Sequence, residues 1–196
     1  MRGTRTAAQL RMFTLIAGLA LAAPAFGGGS EVGTSPVFAI GPGHVFVDWI
    51  PGASSTLVRT QHGIGIFLQT SMLPAGHAFT MWALIFNNPS ACGAGGCDEA
   101  RGDLRNPDVL GSVQRVAGHV VEAESSFAGH LALEEATSTA FGPGLLDPFG
   151  AEIHLIVRDH GVASPDILTD QFHNDSPRFC NVACFDIQKS VHPAGG

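Results

Sequence analysis

The sequence predicts an all-β fold, an antiparallel Greek-key sandwich or barrel with a few short helical turns. The first observation is residues 76–86, GHAFTMWALIF, where both alternating sets of side chains are largely apolar, as in a central strand covered on both faces. The second is period-two alternation in residues 62–72 and 151–157, which is typical of half-buried strands. The third is turn chemistry, because 25 glycines and 12 prolines divide the chain into short segments.

The first predicted strands are residues 37–40 and 45–50, which flank the turn Gly41-Pro42-Gly43, and a brief segment at 56–59. Residues 62–72 follow and reach the central strand through the short link 73–76. This link predicts that the two strands pair antiparallel. A buried helix is the alternative for the central run, but the turn residues within the link favour a strand.

The second half of the chain begins with a long Gly-rich excursion after Pro89, and long ordered loops tend to carry function or to cover a sheet. Helical turns are predicted at 107–111 and 165–173, where an N-cap residue precedes a proline. Residues 151–157 form a predicted strand with one apolar face and an outward face, and 185–191 form the last strand. The inward side chains are Ile153, Leu155 and Val157, and the outward ones are Glu152, His154, Ile156 and Arg158.

A β-hairpin is predicted from residues 112–122 and 126–134, with its turn centred on Glu124-Ser125. This register places Val120 opposite Gly129 on an apolar face. It places Arg115 opposite Glu134 and His119 opposite His130 on the other face. The opposed charges and the apolar face both support the register.

Three histidines form the candidate metal site. Directly opposed side chains have Cβ atoms about 5 Å apart, so His119 and His130 would lie within reach of one copper or zinc ion. His154, with Glu152 on the same face, is the candidate third ligand if its strand lies beside the hairpin. The alternative is that these are solvent-facing histidines of an acidic protein.

Four cysteines, Cys92, Cys97, Cys180 and Cys184, occur as two tight pairs. In an exported chain such pairs indicate disulfides, and three connectivities are possible. The short loops favour Cys92–Cys97 and Cys180–Cys184. A four-thiolate zinc site is the alternative.

The first 25 residues have the layout of a secretory signal. Three arginines precede an apolar run at 12–23, and a small-x-small site ends at Ala25. The sequence therefore predicts a secreted or periplasmic protein, with a single β-sandwich domain at 26–196 and poor order at 26–35. The mature chain is expected to contain no membrane span, because no later apolar stretch reaches about 18 residues.

The net charge of the mature chain limits the classes of partner that it can bind. Cleavage removes three of the 10 basic residues and leaves 7 against 17 acidic residues, a net charge of −10. Nucleic acid and anionic membranes require clustered Lys and Arg, so neither is expected as a partner.

The sequence favours a non-catalytic function and predicts no cofactor. It has no G-x-S-x-G nucleophile motif and no pair of carboxylates placed for glycosidase chemistry. The favoured function is an exported binding or structural module for an unknown protein, glycan or small ligand. The alternative is a copper- or zinc-binding protein, or a metal-dependent enzyme, using His119, His130 and His154. An exposed apolar patch would favour the binding module, and three converging histidines would favour the metal protein.

The segments GHAFTMWALIFNNPSAC and GAEIHLIVRDHG, with the C-terminal cysteine pair, resemble an uncharacterised family of exported bacterial proteins. That resemblance covers the chain from about residue 63 and implies export but no activity. The chain is also faintly similar to the Cu/Zn superoxide dismutase and chordin-domain type of β-sandwich, which implies the sandwich architecture. The dismutase strand carries a His-x-His pair, whereas His77 here is followed by Phe79, which argues against copper redox catalysis.

Overall fold

The computed structural model describes residues 29–122, 124–133, 139–173 and 184–195. These residues form nine strands and one short α-helix, α1, at Leu168–His173. Short 3-10 turns lie at Pro42–His44, Pro89–Ala91, Glu99–Arg101 and Asp103–Arg105. The strands are β1 (Glu31–Ile40), β2 (Phe46–Thr60), β3 (Gly63–Ser71), β4 (His77–Phe86), β5 (Gly111–Val120), β6 (Glu124–Ala132), β7 (Thr139–Phe141), β8 (Glu152–Val162) and β9 (Phe185–His192).

All nine strands belong to one sheet, in the order β6-β3-β2-β1-β9-β8-β4-β5-β7. Neighbouring strands pair antiparallel throughout. The sheet curls into a half-barrel, which brings β5 and β6 into contact across the core. The predicted all-β, antiparallel class with a few helical turns is therefore confirmed.

Strand β4 lies inside the sheet, between β8 and β5, and is covered on both faces as the sequence predicts: every residue after His77 is buried. Met81, Ala83 and Ile85 enter the main core inside the curl. Trp82, Leu84 and Phe86 point the other way, into a second apolar cluster on the outer face. A strand with two apolar faces thus has a cover on each side.

The predicted pairing of β3 with β4 is wrong. Strand β3 lies between β2 and β6, whereas β4 lies between β5 and β8. The reason is the difference in outer faces. The outer side chains of β3, such as Phe67 and Gln69, are exposed to solvent. The outer side chains of β4 are apolar and lie in the part of the sheet where the second apolar cluster covers them.

The predicted β5–β6 hairpin is also wrong. Strand β5 pairs with β4 and β7, and β6 pairs with β3, where Phe127 lies opposite Leu68 and Leu131 opposite Ile64. Gly129 lies against Val116, not against Val120. Period-two alternation defines which face of β6 is buried, and pairing with β3 buries that face equally well.

Several boundaries differ from expectation. Residues 31–35, expected to be poorly ordered, form the start of β1, and the candidate strands at 45–50 and 56–59 are one strand, β2. The helix lies within the predicted range 165–173, and residues 107–110 form a turn. The predicted leader, residues 1–25, lies outside the described residues. Within the described part of the chain, no helix is both long and apolar enough to cross a membrane.

Candidate functional site

The segment between β4 and β5, residues 87–110, folds over the outer face of the sheet. Asn87 Nδ2 donates to the Leu110 carbonyl oxygen at 2.7 Å, and Asn88 Nδ2 donates to that of Asp108 at 2.8 Å. Both amides close the base of the segment. The segment packs apolar side chains on the outer cluster, and the site forms where it meets β8 and β9.

The Cys92–Cys97 disulfide lies within this segment, with 2.05 Å between the sulfur atoms. This confirms the predicted pairing and removes these two sulfurs from the alternative four-thiolate zinc site. The predicted Cys180–Cys184 pair includes Cys180, which lies outside the described residues.

Glu99 is the centre of a buried ion network on the outer face. Its carboxylate accepts hydrogen bonds from Lys189 Nζ at 2.7 and 2.8 Å. His44 Nδ1 lies 2.6 Å from Glu99 Oε1, and His154 Nδ1 lies 3.2 Å from Oε2. Burial alone would raise the pKa of Glu99, but hydrogen bonds from His154, His44 and Lys189 hold that pKa well below its usual value.

His44 joins the 87–110 segment to β9. Besides Glu99, it contacts Asp186, with 2.9 Å between His44 Nε2 and Asp186 Oδ2. Hydrogen bonds to Asp186 and Glu99 outweigh burial and raise the pKa of His44 to about 9, so the ring is cationic at neutral pH. Gly43 and His44 both have positive φ, 74° and 59°. This conformation is unfavourable for histidine, and the two carboxylates stabilise it.

Arg158 of β8 forms a bidentate pair with Asp186. Its Nε and Nη2 donate at 2.6 and 3.0 Å, and its guanidinium lies 5.9 Å from the ring centre of Trp82. Despite burial, hydrogen bonds from His44 and Arg158 lower the pKa of Asp186 to about 2. The Trp82 indole N–H donates to Thr80 Oγ1 at 2.7 Å, so its polar atom is satisfied.

These side chains border a cleft of about 440 Å³, which we call the Trp82 cleft. Its floor is apolar and its rim is charged. The floor consists of Trp82, Leu84, Leu104, Val113 and Ile156, and the rim of His44, Glu99, Arg158 and Asp186. A second cavity of about 680 Å³, also bordered by His44, lies beside Lys189 and His154.

The three histidines predicted to bind a metal lie at separate places. His119 is opposite Phe79 on the inner face, with its ring 4.5 Å from that of Phe127, and burial lowers its pKa. His130 is exposed on β6, opposite Gly65. His154 is buried on the outer face. In the described residues, no three His, Cys, Asp or Glu side chains are grouped so that they could hold a metal ion.

His154 is nonetheless part of the site. Its Nε2 lies 2.7 Å from Glu152 Oε1, the same oxygen that accepts a hydrogen bond from the Cys97 backbone N–H at 3.2 Å. The sequence placed Glu152 and His154 correctly on one outward face. That face is buried and not solvated, because residues 87–110 cover it.

A serine–histidine contact in the interior has the atoms of a nucleophile pair. Ser55 Oγ lies 2.7 Å from His192 Nε2 and 2.6 Å from Ser190 Oγ. Ser55 and Ser190 have no exposed surface, and His192 is 3% exposed. A substrate cannot reach this group, so its hydrogen bonds satisfy buried polar atoms of the core.

The site residues predicted from the sequence do not include His44, Glu99, Asp186 and Lys189. One signal was available for Lys189, the only lysine in the chain, since it lies in a strand pattern rather than in a charged loop. Glu99 and His44 belong to irregular segments, where no periodicity indicates which side chains meet. No known protein family matches this chain, and no characterised protein or solved structure matches it either.

Proposed function

We propose that the protein is an exported, non-catalytic binding module that holds a small apolar molecule in the Trp82 cleft. The observation that carries the proposal is an apolar floor of five side chains beside a charged rim. Ligand sites are typically concave, mostly apolar and about 300–1,000 Å³ in volume, and this cleft of about 440 Å³ lies in that range.

The rim supports a binding role more than a catalytic one. Each charged side chain at the rim already contacts an opposite charge: His44 with Glu99 and Asp186, and Arg158 with Asp186. Paired groups of this kind fix the shape of a cleft. A general base or nucleophile would instead need a reactive atom directed at the substrate.

An exposed apolar patch gives further support. Four large apolar side chains, Val45, Phe46, Val47 and Trp49, lie within five residues and are 49–69% exposed. They follow directly after His44 in the chain. Exposed apolar groups of this kind are typical of binding surfaces.

Export is supported by the predicted leader and by the Cys92–Cys97 disulfide, because disulfides persist in oxidising compartments. The full chain should be produced in a bacterial host and the mature protein recovered from the periplasm. Mass spectrometry is expected to show a chain that starts at Phe26. Recovery of uncleaved chain from the cytoplasm would contradict export.

Ligand binding can be followed through Trp82. The chain has two tryptophans and no tyrosine, so Trp49→Phe leaves Trp82 as its only strong fluorophore. Titration of this variant with 1-octanol, a small neutral amphiphile, is expected to give a saturable change in Trp82 emission.

A substitution that narrows the cleft provides the matched test. Ala100 is exposed and lines the Trp82 cleft, so Ala100→Phe is expected to weaken octanol binding at least about tenfold by filling space. Ala94 is exposed in the same segment, and Ala94→Phe is the control. Absence of saturation, or an equal effect of both substitutions, would contradict the proposal.

A further inference from the structure

We propose that the second cavity, of about 680 Å³, binds the end of a neutral saccharide chain. We call it the Lys189 cavity, and the residues of its lining that carry the proposal are Phe46, Gly96, Glu152 and Lys189. Sugar hydroxyls bind at Glu152 and Lys189, and the sugar ring packs on Phe46. The apolar floor of the Trp82 cleft takes no part in this site, so the inference goes beyond the proposed function.

Glu152 supplies an unused hydrogen-bond acceptor. Its Oε1 is occupied by His154 Nε2 at 2.7 Å and by the Cys97 backbone N–H at 3.2 Å. Among the described residues nothing donates to its Oε2, although Glu152 is only 9% exposed. This oxygen is not sealed from solvent, and Glu152 lines the cavity. Because buried polar groups are nearly always paired, the unused oxygen indicates a ligand that donates a hydrogen bond there.

Gly96 leaves this carboxylate accessible. Its φ of 84° is a conformation that favours glycine. A Cβ atom at this position would lie 3.7 Å from Oε1 and 3.9 Å from Oε2 of Glu152, in contact with both oxygens. A larger side chain would cover the carboxylate, so glycine keeps the acceptor open to the cavity.

Lys189 supplies a donor in the same cavity. Its ammonium group has three N–H bonds, and the hydrogen bonds to Glu99 Oε1 and Oε2 use two of them. In the described part of the chain Nζ has no further acceptor, and it lies 5.4 Å from the ring centre of Phe46. A carboxylate disfavours an anionic ligand and an ammonium disfavours a cationic one, whereas a hydroxyl group both donates and accepts. The pair therefore favours a neutral polyhydroxyl ligand.

Aromatic rings continue from the Lys189 cavity across the outer face of β1 and β2. The ring centres of Phe38 and Phe46 are 5.1 Å apart, and Phe38 lies opposite Trp49 in the ladder, on the same face. Phe46 and Trp49 are 49% and 51% exposed. The C–H face of a sugar ring packs on aromatic surface, while its hydroxyls bond at the edge. This row of rings favours an extended saccharide over a single sugar.

Binding of glucose and of its disaccharides cellobiose and maltose to the mature protein tests the inference, with saturation-transfer NMR as the measurement. At least one disaccharide is expected to bind with a Kd of about 1 mM or tighter, and more tightly than glucose. Glucosamine and glucuronate have the same ring with a charged group, and both should bind no more tightly than glucose. Absence of saturable binding by all three neutral sugars, or tightest binding by a charged sugar, would overturn the inference.

Three variants assign the binding to the Lys189 cavity. Glu152→Gln keeps an oxygen for the Cys97 N–H but removes the charge, and it is expected to weaken disaccharide binding at least about tenfold. Phe46→Ala removes an exposed ring and is expected to weaken it about fivefold. Val47 is 69% exposed and lies outside the cavity lining, so Val47→Ala is the matched control and should bind as the wild type does. Wild-type affinity in both Glu152→Gln and Phe46→Ala would exclude the Lys189 cavity as the saccharide site.

Discussion

Lys189 of β9 donates from Nζ to both carboxylate oxygens of Glu99, which lies in the segment that covers the sheet. Lys189 is 4% exposed and the Glu99 side chain 7% exposed. Two charges are therefore buried together, and their pairing fixes the segment against the outer face. This contact holds Glu99 in place at the charged rim of the Trp82 cleft.

We expect Lys189→Met to destabilise the protein by about 3–5 kcal/mol, because it leaves the buried Glu99 carboxylate without its ammonium partner. Urea unfolding followed by circular dichroism measures this loss. The double variant Lys189→Met, Glu99→Gln should recover part of this loss, because it also removes the buried carboxylate that has lost its ammonium partner.

An exposed cation in the 87–110 segment, which also contains Glu99, provides the control. Arg101 pairs with Asp98 and Asp103, and its side chain is 44% exposed. Arg101→Met is expected to cost less than about 1 kcal/mol. If Lys189→Met and Arg101→Met lower the free energy of unfolding equally, the buried Lys189–Glu99 pair does not hold the segment on the sheet.

Alkaline pH should weaken the contact of His44 with its two carboxylates. Its folded pKa is raised to about 9, above the ordinary 6.5, so its stabilising contribution is fully present below pH 6.5 and is lost as pH rises through 9. The difference in unfolding free energy between the wild type and His44→Gln should therefore shrink from pH 6 to pH 10, by at most about 3 kcal/mol. A difference that is constant over this range would contradict the assignment.

Acid should destabilise the interior through two buried histidines. Burial, assisted by Arg158 near His160 and by Arg59 near His192, lowers both pKa values to about 4. The unfolded chain takes up these protons near pH 6.5 and the folded chain only near pH 4. Stability therefore falls as pH drops through that window, by up to about 3 kcal/mol for each histidine.

Urea unfolding of His192→Gln between pH 7 and 4 is the measurement, and its pH slope should be smaller than that of the wild type. Ser55→Ala is the control, because it removes the hydrogen bond to His192 without removing a titrating group. It should lower stability at every pH and keep the slope. If His192→Gln has the wild-type slope, His192 does not contribute to the acid sensitivity.

The fold class and the central strand could be predicted because burial leaves a periodic signature in the sequence. Residues 77–86 are apolar in both alternating sets, and β4 is buried on both faces. Strand neighbours leave no such signature. The apolar face of β6 would be buried equally well in a hairpin with β5 or in a pairing with β3. The alternation of apolar and polar residues therefore could not distinguish the two pairings.

The site was only partly predictable for a related reason. Glu152 and His154 share a face because they are two residues apart on one strand. Glu99 is 90 residues from Lys189 and 55 from His44, and only the fold brings them together. The predicted pairing of His119 with His130 depended on a β5–β6 hairpin, and the two histidines lie apart because β5 pairs with β4 and β6 pairs with β3.

The contact of Gly129 with Val116 provides a direct test of how the sheet curls. A Cβ atom on Gly129 would overlap Val116 Cγ1 and lie 2.8 Å from the Val116 carbonyl oxygen, so the two strands could not approach as they do. We expect Gly129→Ala to destabilise the protein by about 1–3 kcal/mol through this overpacking. Gly65→Ala on the neighbouring β3 is the matched control, since its Cβ would meet Val58 Cβ at an ordinary 3.8 Å. Urea unfolding should separate the two variants clearly. A Gly129→Ala protein as stable as Gly65→Ala would contradict the close approach of β5 and β6 at this point.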